Sequence, residues 1–254
     1  MPREDESLLD MTSISHVAAY RFVELQDLPG RRAAITAAAR DQGLIGIVLL
    51  APEGINVCLA GEEAGLLRFF AWFEEDPCFT GIEKKWSTSA EPPYGKLRVK
   101  LKNEIVRMDH PEIQPGAGRA ASVESTTLRR WLDQGHDDAG REVVMLDTRN
   151  AFELEFGAFE GAVDLGLKSF SLFPEAMEAR RAEMEGKTVV AYCTGGIRCE
   201  KAVLQLEKMG IENVHQLEGG ILRYFQREGE AHYRGGCFVF DRRISVKASD
   251  MLPE

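Results

Sequence analysis

The sequence predicts two domains in tandem: an α+β domain followed by an α/β domain with a parallel sheet. The chain has 254 residues, more than one compact domain usually needs, and 44% of them are hydrophobic. Strand-like runs and two amphipathic helices fill the first half, whereas apolar strands alternate with helices in the second. No apolar run approaches the roughly 18 residues that span a bilayer, and no secretion signal is evident. We therefore expect a cytoplasmic protein with no membrane partner.

The first half shows the order strand, helix, strand, strand, helix, strand. The expected strands are 16–25, 44–50, 57–60 and 96–107, and the expected helices are 31–41 and 62–75. This order is the split βαβ pattern, so we predict a ferredoxin-like α+β domain over residues 16–108. Residues 1–15 are polar and acidic and are expected to form a disordered tail.

Three apolar strands of the second half each end at a polar or reactive residue. They cover 143–146, 188–192 and 214–217, and the residues that follow are Asp147, Cys193 and Glu218. Helical patterns separate them, so we predict an α/β domain with a parallel sheet over residues 122–235, whose ligands bind beyond the carboxyl ends of the strands. The proline- and glycine-containing residues 109–121 are expected to be a linker, and 236–254 a C-terminal tail.

Charge and cysteine content exclude several classes of protein. A net charge of −10 argues against a wholly basic nucleic-acid platform, and we expect no DNA partner. The five cysteines are an odd number without a secretion signal, so free thiols are expected. The absence of Cys-x-x-Cys and His-x-x-x-His spacings predicts no metal site. The glycine-rich stretch at 116–121 lacks the preceding strand that a dinucleotide site needs.

The most informative stretch is the loop after Tyr192, where a strand delivers Cys193 into a glycine-rich turn that becomes a helix. Backbone N–H groups, the helix dipole and the charge of Arg198 should lower the pKa of the thiol, so we name Cys193 and Arg198 as catalytic residues. The residues expected to donate N–H groups to the sulfur or to an oxyanion are Thr194, Gly195, Gly196 and Ile197. Cys199 is a candidate resolving thiol, with an inert helical cysteine as the equal alternative.

This loop resembles the active-site loop of the rhodanese family. The fuller string Cys-Thr-Gly-Gly-Ile-Arg-Cys-Glu-Lys at 193–201, with Ala-Pro-Glu-Gly-Ile-Asn at 51–56 and Cys-Phe-Val-Phe-Asp at 237–241, resembles the bacterial tRNA uridine hydroxylase family. The resemblance implies an acylphosphatase-like domain ahead of a rhodanese-like catalytic domain. It also implies oxidation of the wobble uridine to 5-hydroxyuridine by molecular oxygen, with Cys193 as the matching cysteine. Arg242 and Arg243 stand where a second acid is expected.

The sequence leaves the chemistry of the thiol open. No flavin, haem or nicotinamide motif is evident, so we expect no bound cofactor, with molecular oxygen and an unknown electron donor as co-substrates. A persulfide and an oxidised sulfur species are both compatible with Cys193. One alternative function is a sulfurtransferase that carries a Cys193 persulfide, and another is a non-catalytic RNA-binding module. The oligomeric state and the set of tRNAs are also open.

A basic segment predicts the contact with RNA. Four cations alternate with aliphatic residues, so a strand would turn them to one face: Lys96, Arg98, Lys100 and Lys102. Lys84 and Lys85 precede this segment and add charge beside a tryptophan. Seven cations and three acids lie between residues 81 and 107 of this acidic chain. We therefore predict an electrostatic track for the anticodon stem-loop, and a solvated strand face is the alternative.

Overall fold

The computed structural model describes residues 13–118 and 120–252. Of the predicted tail at 1–15, residues 1–12 lie outside the described part, and residues 14 and 15 belong to the first strand. In the N-terminal half, two helices pack on one face of a five-stranded sheet. Its elements are β1 (Ile14–Phe22), α1 (Leu28–Asp41), β2 (Ile45–Ala51), β3 (Gly54–Gly61), α2 (Glu63–Phe73), β4 (Lys85–Ser89) and β5 (Leu97–Leu101). The strand order is β4-β1-β3-β2-β5, antiparallel except for the parallel pair of β2 and β5. The first four strands in this order form the predicted ferredoxin-like motif.

One predicted strand was assigned to the wrong place in this motif. The expected strand at 96–107 is an additional edge strand that ends at Leu101, and the fourth strand of the motif is β4. β4 has the polar sequence Lys-Trp-Ser-Thr-Ser and lacks an apolar run, so its pairing with β1 creates the strand. Beyond Leu101 the chain leaves the sheet, and the N–H of Ile105 bonds instead to the Glu53 carboxylate.

The two faces of this sheet have different roles. Alternate apolar residues of β1, β2 and β3 face α1 and α2 and form a core with the phenylalanines of α2. Each such large apolar side chain contributes roughly 1.5–3 kcal/mol when fully buried. We call the opposite face, which turns toward the C-terminal half, the interdomain face. The strand registers place on it the rows Lys85, Ala18, Cys58, Ile47, Arg98 and Tyr20, Asn56, Leu49, Lys100.

The C-terminal half contains the predicted parallel sheet, in the order β6-β11-β10-β7-β9. Its principal elements are β6 (Ser122–Val123), α3 (Ser125–Gln134), β7 (Val143–Asp147), α4 (Ala151–Leu154), β8 (Gly157–Phe159), β9 (Val163–Asp164), α5 (Phe173–Glu178), β10 (Thr188–Tyr192), α6 (Ile197–Lys208), β11 (Val214–Leu217) and α7 (Gly220–Glu228). β10 is buried along its whole length at the centre, so the residue that follows it emerges at the middle of the sheet edge. Within the described part of the chain, no helix is long and apolar enough to cross a membrane.

The segments expected to be a linker and a tail are packed structure. Ile113 and Ala120 are buried in the core of the parallel sheet. After β12 (Tyr233–Gly235), the strands β13 (Cys237–Phe238) and β14 (Ser245–Val246) form a hairpin, and the N–H of Leu252 bonds to the carbonyl of Trp86 in β4 at 3.3 Å. The apolar residues of these segments are irregularly spaced, a pattern that gives no periodic signal of burial.

Polar contacts across the interface fix the two halves against each other. Lys201 of α6 is almost fully buried, and its ammonium lies 2.7 Å from the Glu53 carboxylate and 2.6 Å from that of Glu104. Arg243 pairs with Asp241 at 2.6 Å and donates to the Ser87 hydroxyl of β4 at 2.8 Å. The arginine found in place of an expected acid therefore anchors the C-terminal segment to the N-terminal sheet.

Candidate active site

Cys193 lies at the carboxyl end of β10, in the loop that leads into α6. Its side chain is buried, and its sulfur accepts a hydrogen bond of 3.2 Å from the N–H of Gly196. Gly196 has a φ of 97°, and a Cβ there would lie 2.9 Å from the Tyr20 hydroxyl. Gly220 backs the loop from behind with a φ of 67°, and a Cβ there would lie 2.5 Å from the carbonyl oxygen of Cys193. Glycine at both positions allows the chain to close around the sulfur.

The surroundings of Cys193 favour a thiolate. Burial raises the pKa of the thiol, but a hydrogen bond with Cys199, the charge of Arg198 and the N–H groups of Arg198 and Gly196 together lower it to about 5. Burial and the neighbouring Cys193 raise the pKa of Cys199 well above its usual value. At neutral pH the pair therefore holds one thiolate and one thiol, with the Cys199 thiol as donor.

Arg198 is held by a buried carboxylate. Its two terminal nitrogens lie 2.5 and 2.9 Å from the oxygens of Glu153, which has no solvent exposure. The N–H of Asn150 donates to the same carboxylate at 3.0 Å, in a capping box at the start of α4. The pair fixes the guanidinium beside the sulfur. We did not identify Glu153 from the sequence, although the Asn-x-x-Glu spacing of the capping box is a signal for it.

A second buried ion pair supports the end of β7. Arg149 and Asp147 lie 2.6 Å apart without solvent exposure, and Arg149 also donates to the carbonyl of Gly157 at 2.8 Å. Arg149 therefore forms an internal ion pair that ties β7 to β8.

A cavity of about 330 Å³ opens above Cys193 between the two halves of the chain. This volume is at the small end of the roughly 300–1,000 Å³ range of ligand pockets. The predicted loop donors Thr194, Gly195 and Ile197 line it, while the hydrogen bonds to the sulfur itself come from Gly196 and Arg198. The cavity therefore offers a small planar group access to the thiolate and to loop N–H groups.

The wall opposite the loop comes from the interdomain face of the N-terminal sheet. Tyr20, Asn56 and Lys85 line it, and the Tyr20 hydroxyl donates to Glu200 of α6 at 3.1 Å. The side-chain amide of Asn56 has no hydrogen-bond partner among the described residues. Sequence reasoning missed Tyr20 as a site residue, because only the packing of the two halves brings β1 to the loop.

Lys85 has a different environment from the one we predicted. It is only 3% exposed, its ammonium lies 3.1 Å from Glu83, and it contacts the face of the Tyr20 ring. Burial lowers the pKa of Lys85, and the charge of Glu83 opposes this shift. The assignment of Lys85 to the surface RNA track is therefore wrong, because β4 turns this side chain inward to the interdomain face.

The other predicted RNA contacts fall into two groups. Lys84 points away from the cavity, pairs with Glu74 and lies over the Phe70 ring, so it lies apart from the other cations, and its contact with RNA stays a prediction. The remaining four cations are exposed and form no ion pair within the described residues: Lys96, Arg98, Lys100 and Lys102. They lie on or beside β5, at the outer edge of the interdomain face, as the alternation predicts.

Three further cysteines lie outside the pair of Cys193 and Cys199. Cys58, Cys78 and Cys237 are free thiols, and Cys58 lines the cavity from β3. Within residues 13–118 and 120–252, no group of three His, Cys, Asp or Glu side chains is positioned to hold a metal ion.

Comparison with known proteins gives the same domain order. Residues 14–105 match a family model described as a UPF0176 acylphosphatase like domain, and residues 127–226 match the rhodanese-like domain. A solved rhodanese-like domain from Anabaena sp. is 22% identical with a TM-score of 0.35, and the match covers 45% of this chain and 78% of that one. The predicted fold class, α+β ferredoxin-like followed by α/β rhodanese-like, is confirmed by the family matches.

Relatives that match over nearly their whole length cover both halves. A protein of Variovorax paradoxus is 53% identical over 94% of this chain and 94% of its own length, and one of Bordetella avium is 56% identical over 92% and 97%. Both are named tRNA uridine(34) hydroxylase. The resemblance inferred from the motifs is confirmed. With a thiolate loop facing a wall contributed by the acylphosphatase-like half, and with this identity over nearly the whole length, the chain belongs to the tRNA uridine(34) hydroxylase family.

Proposed function

We propose that this protein hydroxylates the wobble uridine of cytoplasmic tRNA at C5 to give 5-hydroxyuridine. Molecular oxygen is the co-substrate. One of its atoms is inserted into the C5–H bond, and the other is reduced to water by two electrons and two protons. The family supports tRNA as the substrate, and the position of the new hydroxyl group is part of the proposal.

The observation that carries this proposal is the location of the Cys193 thiolate in a cavity closed by both halves of the chain. A sulfurtransferase needs only the rhodanese-like loop to bind a small sulfur donor. Here Tyr20, Asn56 and Lys85 of the N-terminal sheet complete the opposite wall. Such a wall supplies polar groups that can hold a base, as enzymes that act on an extruded nucleotide require.

The polar groups of this wall suit a uracil ring. The Asn56 amide can accept from N3–H and donate to a carbonyl oxygen of the base, and the Lys85 ammonium can only donate. A donor-only group matches the O4 oxygen of uracil and opposes the amino group of cytosine. Lys85 therefore acts in recognition of the base, and Cys193 and Arg198 act at the reacting carbon.

The neighbouring thiol provides a source of electrons. We assign Cys199 as the resolving thiol. In the balanced reaction, uridine, molecular oxygen, the Cys193 thiolate, the Cys199 thiol and one proton give 5-hydroxyuridine, water and a Cys193–Cys199 disulfide. A thiol reductant then restores the pair by disulfide exchange. Cys199 is among the groups that lower the pKa of Cys193, and this coupling of the two thiols supports the assignment.

The exposed cations of β5 provide the contact with the RNA backbone. They lie on the same sheet face as the cavity wall, so an anticodon stem-loop with its uridine in the cavity can lie across that face. Lysine and arginine side chains bind phosphates without reading sequence, which suits a contact that only positions the loop. Phosphate binding by this edge also reconciles a tRNA substrate with the acidity of the whole chain.

The experiment is nucleoside mass spectrometry of total tRNA from cells that lack this gene and carry wild type, Cys193→Ser or Cys78→Ser. We expect wild type and Cys78→Ser to restore 5-hydroxyuridine and its derivatives, and Cys193→Ser to restore none, because serine supplies no thiolate. The proposal would be overturned if all strains had identical tRNA nucleosides and if the purified protein also formed no 5-hydroxyuridine in tRNA in the presence of oxygen.

Sulfur transfer is the second candidate, because the rhodanese-like loop of Cys193 is itself suited to carry a persulfide. The same preparations are therefore assayed for transfer of sulfur from thiosulfate to cyanide. Transfer that requires Cys193, together with no change in tRNA nucleosides, would favour the sulfurtransferase.

A further inference from the structure

A second groove lies beside the Cys193 cavity on the interdomain face. It has a volume of about 510 Å³ and lies between β5 and the C-terminal hairpin. Phe240 borders both the groove and the cavity. A polymer that enters the cavity with one unit can therefore place an adjacent unit against Phe240 in the groove.

The rim of the groove carries an exposed aromatic cluster. Phe240 is 62% exposed and Phe152 is 41% exposed. Their ring centroids lie 5.0 and 5.2 Å from that of Phe238, with both rings nearly perpendicular to it. Exposed apolar clusters on soluble proteins commonly mark binding sites, and an aromatic face stacks on any nucleobase.

The charges around the groove favour an anion. Lys96, Arg98 and Arg242 line it, and all three are exposed without an ion pair among the described residues. The acid in the groove, Asp241, already accepts through both of its oxygens from Nε and one terminal nitrogen of Arg243, at 2.9 and 2.6 Å. Three unpaired cations therefore surround a neutralised acid. Aromatic and cationic side chains together are the chemistry that binds single-stranded nucleic acid.

We propose that this groove binds the nucleotide adjacent to the target uridine, with its base stacked on Phe240 and its phosphate between Arg98 and Arg242. The proposal rests on the proposed function, since the uridine defines the neighbour. The C-terminal segment, which we predicted to be a tail, then helps to hold the anticodon loop of the RNA open around the uridine.

The test measures binding of anticodon stem-loop RNAs to wild type, Phe240→Leu and Phe240→Trp by fluorescence anisotropy. Leucine keeps the apolar bulk and removes the aromatic face, whereas tryptophan keeps it. We expect Phe240→Leu to weaken binding roughly 5- to 150-fold, as expected for loss of one stacked base, and Phe240→Trp to retain it. Thermal unfolding of each variant checks that the fold is kept.

A second arm removes the base instead of the side chain. Stem-loops with an abasic nucleotide on the 5′ or the 3′ side of the uridine identify the stacked neighbour. We expect one of the two abasic stem-loops to bind wild type as weakly as the intact stem-loop binds Phe240→Leu. The affinity of that abasic stem-loop for Phe240→Leu should be no lower than its affinity for wild type. The proposal would be overturned if the losses of affinity from the abasic nucleotide and from Phe240→Leu added together. It would also be overturned if the intact stem-loop bound Phe240→Leu as tightly as wild type.

Two further results separate this proposal from its alternatives. Wild type that binds the stem-loop through Phe240 without forming 5-hydroxyuridine would support the groove and overturn the proposed reaction. If the binding of a poly-glutamate peptide depended on Phe240 and the binding of the RNAs did not, the nucleotide site would be overturned and the groove would be assigned to a protein partner.

Discussion

Two neighbouring lysines at the start of β4 show how position decides the environment of a side chain. Lys84 and Lys85 have the same chemistry, but the alternation of the strand turns one toward Glu74 and the other into the cavity. Burial places Lys85 in the wall of the Cys193 cavity, whereas the cations on and beside β5 are exposed to solvent. Residue type alone does not distinguish these uses.

At Cys193, the pKa of about 5 leads to a prediction about its neighbour. The hydrogen bond from the Cys199 thiol stabilises the thiolate, so its removal in Cys199→Ala should raise the pKa of Cys193. The midpoint of thiolate formation then moves to higher pH, and less thiolate remains in mildly acidic solution. Titration of the ultraviolet absorbance of the thiolate measures the midpoint.

Cys78→Ala is the control for this titration, because Cys78 lies near Arg31, outside the active-site loop. Its thiolate titration at Cys193 should match wild type. A Cys199→Ala midpoint that also matches wild type would show that Cys199 does not support the thiolate. In that case, the interpretation of Cys199 as an inert helical cysteine would be preferred.

Two short connections between strands and helices form the active-site loop and its support. The loop between β10 and α6 holds the sulfur, and the turn between β11 and α7 packs behind it. The N–H groups of Ile221 and Leu222 donate to the carbonyls of Cys193 and Thr194, both at 3.0 Å. The start of α7 therefore positions the thiolate without contacting it.

Gly220→Ala should disrupt this arrangement. The added Cβ would lie 2.5 Å from the Cys193 carbonyl oxygen and 2.8 Å from that of Thr194, at a φ of 67°. The left-handed conformation alone costs roughly 1–3 kcal/mol, and the clash adds to this cost. We expect a lower Tm and a higher pKa of Cys193, because the loop must move. Thermal unfolding and thiolate titration measure the two effects.

Gly195→Ala serves as the matched substitution in the same site, since no atom lies within 4 Å of a Cβ at that position. Its Tm should stay near that of wild type. Equal Tm values for the two variants would show that the turn before α7 tolerates a side chain and does not support the loop.

Across the whole molecule, the sheet of the N-terminal half connects the cavity to the basic edge. β4, β1 and β3 supply the cavity wall, and β5 carries the cations at the far side of the same face. Lys201, three residues beyond Arg198 on α6, locks the two halves through Glu53 and Glu104. The proposed tRNA contact and the cavity therefore both depend on how the two halves pack against each other.

Neutralisation of the four β5 cations tests this arrangement. The substitutions are Lys96→Gln, Arg98→Gln, Lys100→Gln and Lys102→Gln, made together so that neighbours cannot compensate. We expect KM for tRNA to rise about tenfold or more. We also expect the slope of log affinity against log salt concentration to become shallower by about 3, because fewer phosphate contacts release fewer counterions. Steady-state kinetics and salt titrations measure these changes.

The control variant removes the charges of Arg32, Arg40 and Arg68, which lie exposed on the helices behind the sheet. It should leave KM and the salt dependence near the values for wild type. Full activity of the β5 variant on tRNA, or an equal loss in both variants, would contradict an RNA track along β5.

The local parts of the site could be predicted from the sequence because their residues are neighbours in the chain. Cys193, its glycines and Arg198 lie within six positions, so strand, turn and helix signals specify a thiolate loop without long-range information. The alternation of cations around β5 likewise follows from the period of a strand. The sequence by itself determined the two fold classes, the cysteine loop, the basic edge and the family.

Only the tertiary structure decided what faces the thiolate. Tyr20 and Lys85 precede Cys193 by more than a hundred residues, and Phe240 follows it in a segment without periodic pattern. Their convergence depends on how two cores pack and on which side of each strand is buried. That choice comes from burial and pairing summed over the whole molecule, so no local pattern records it.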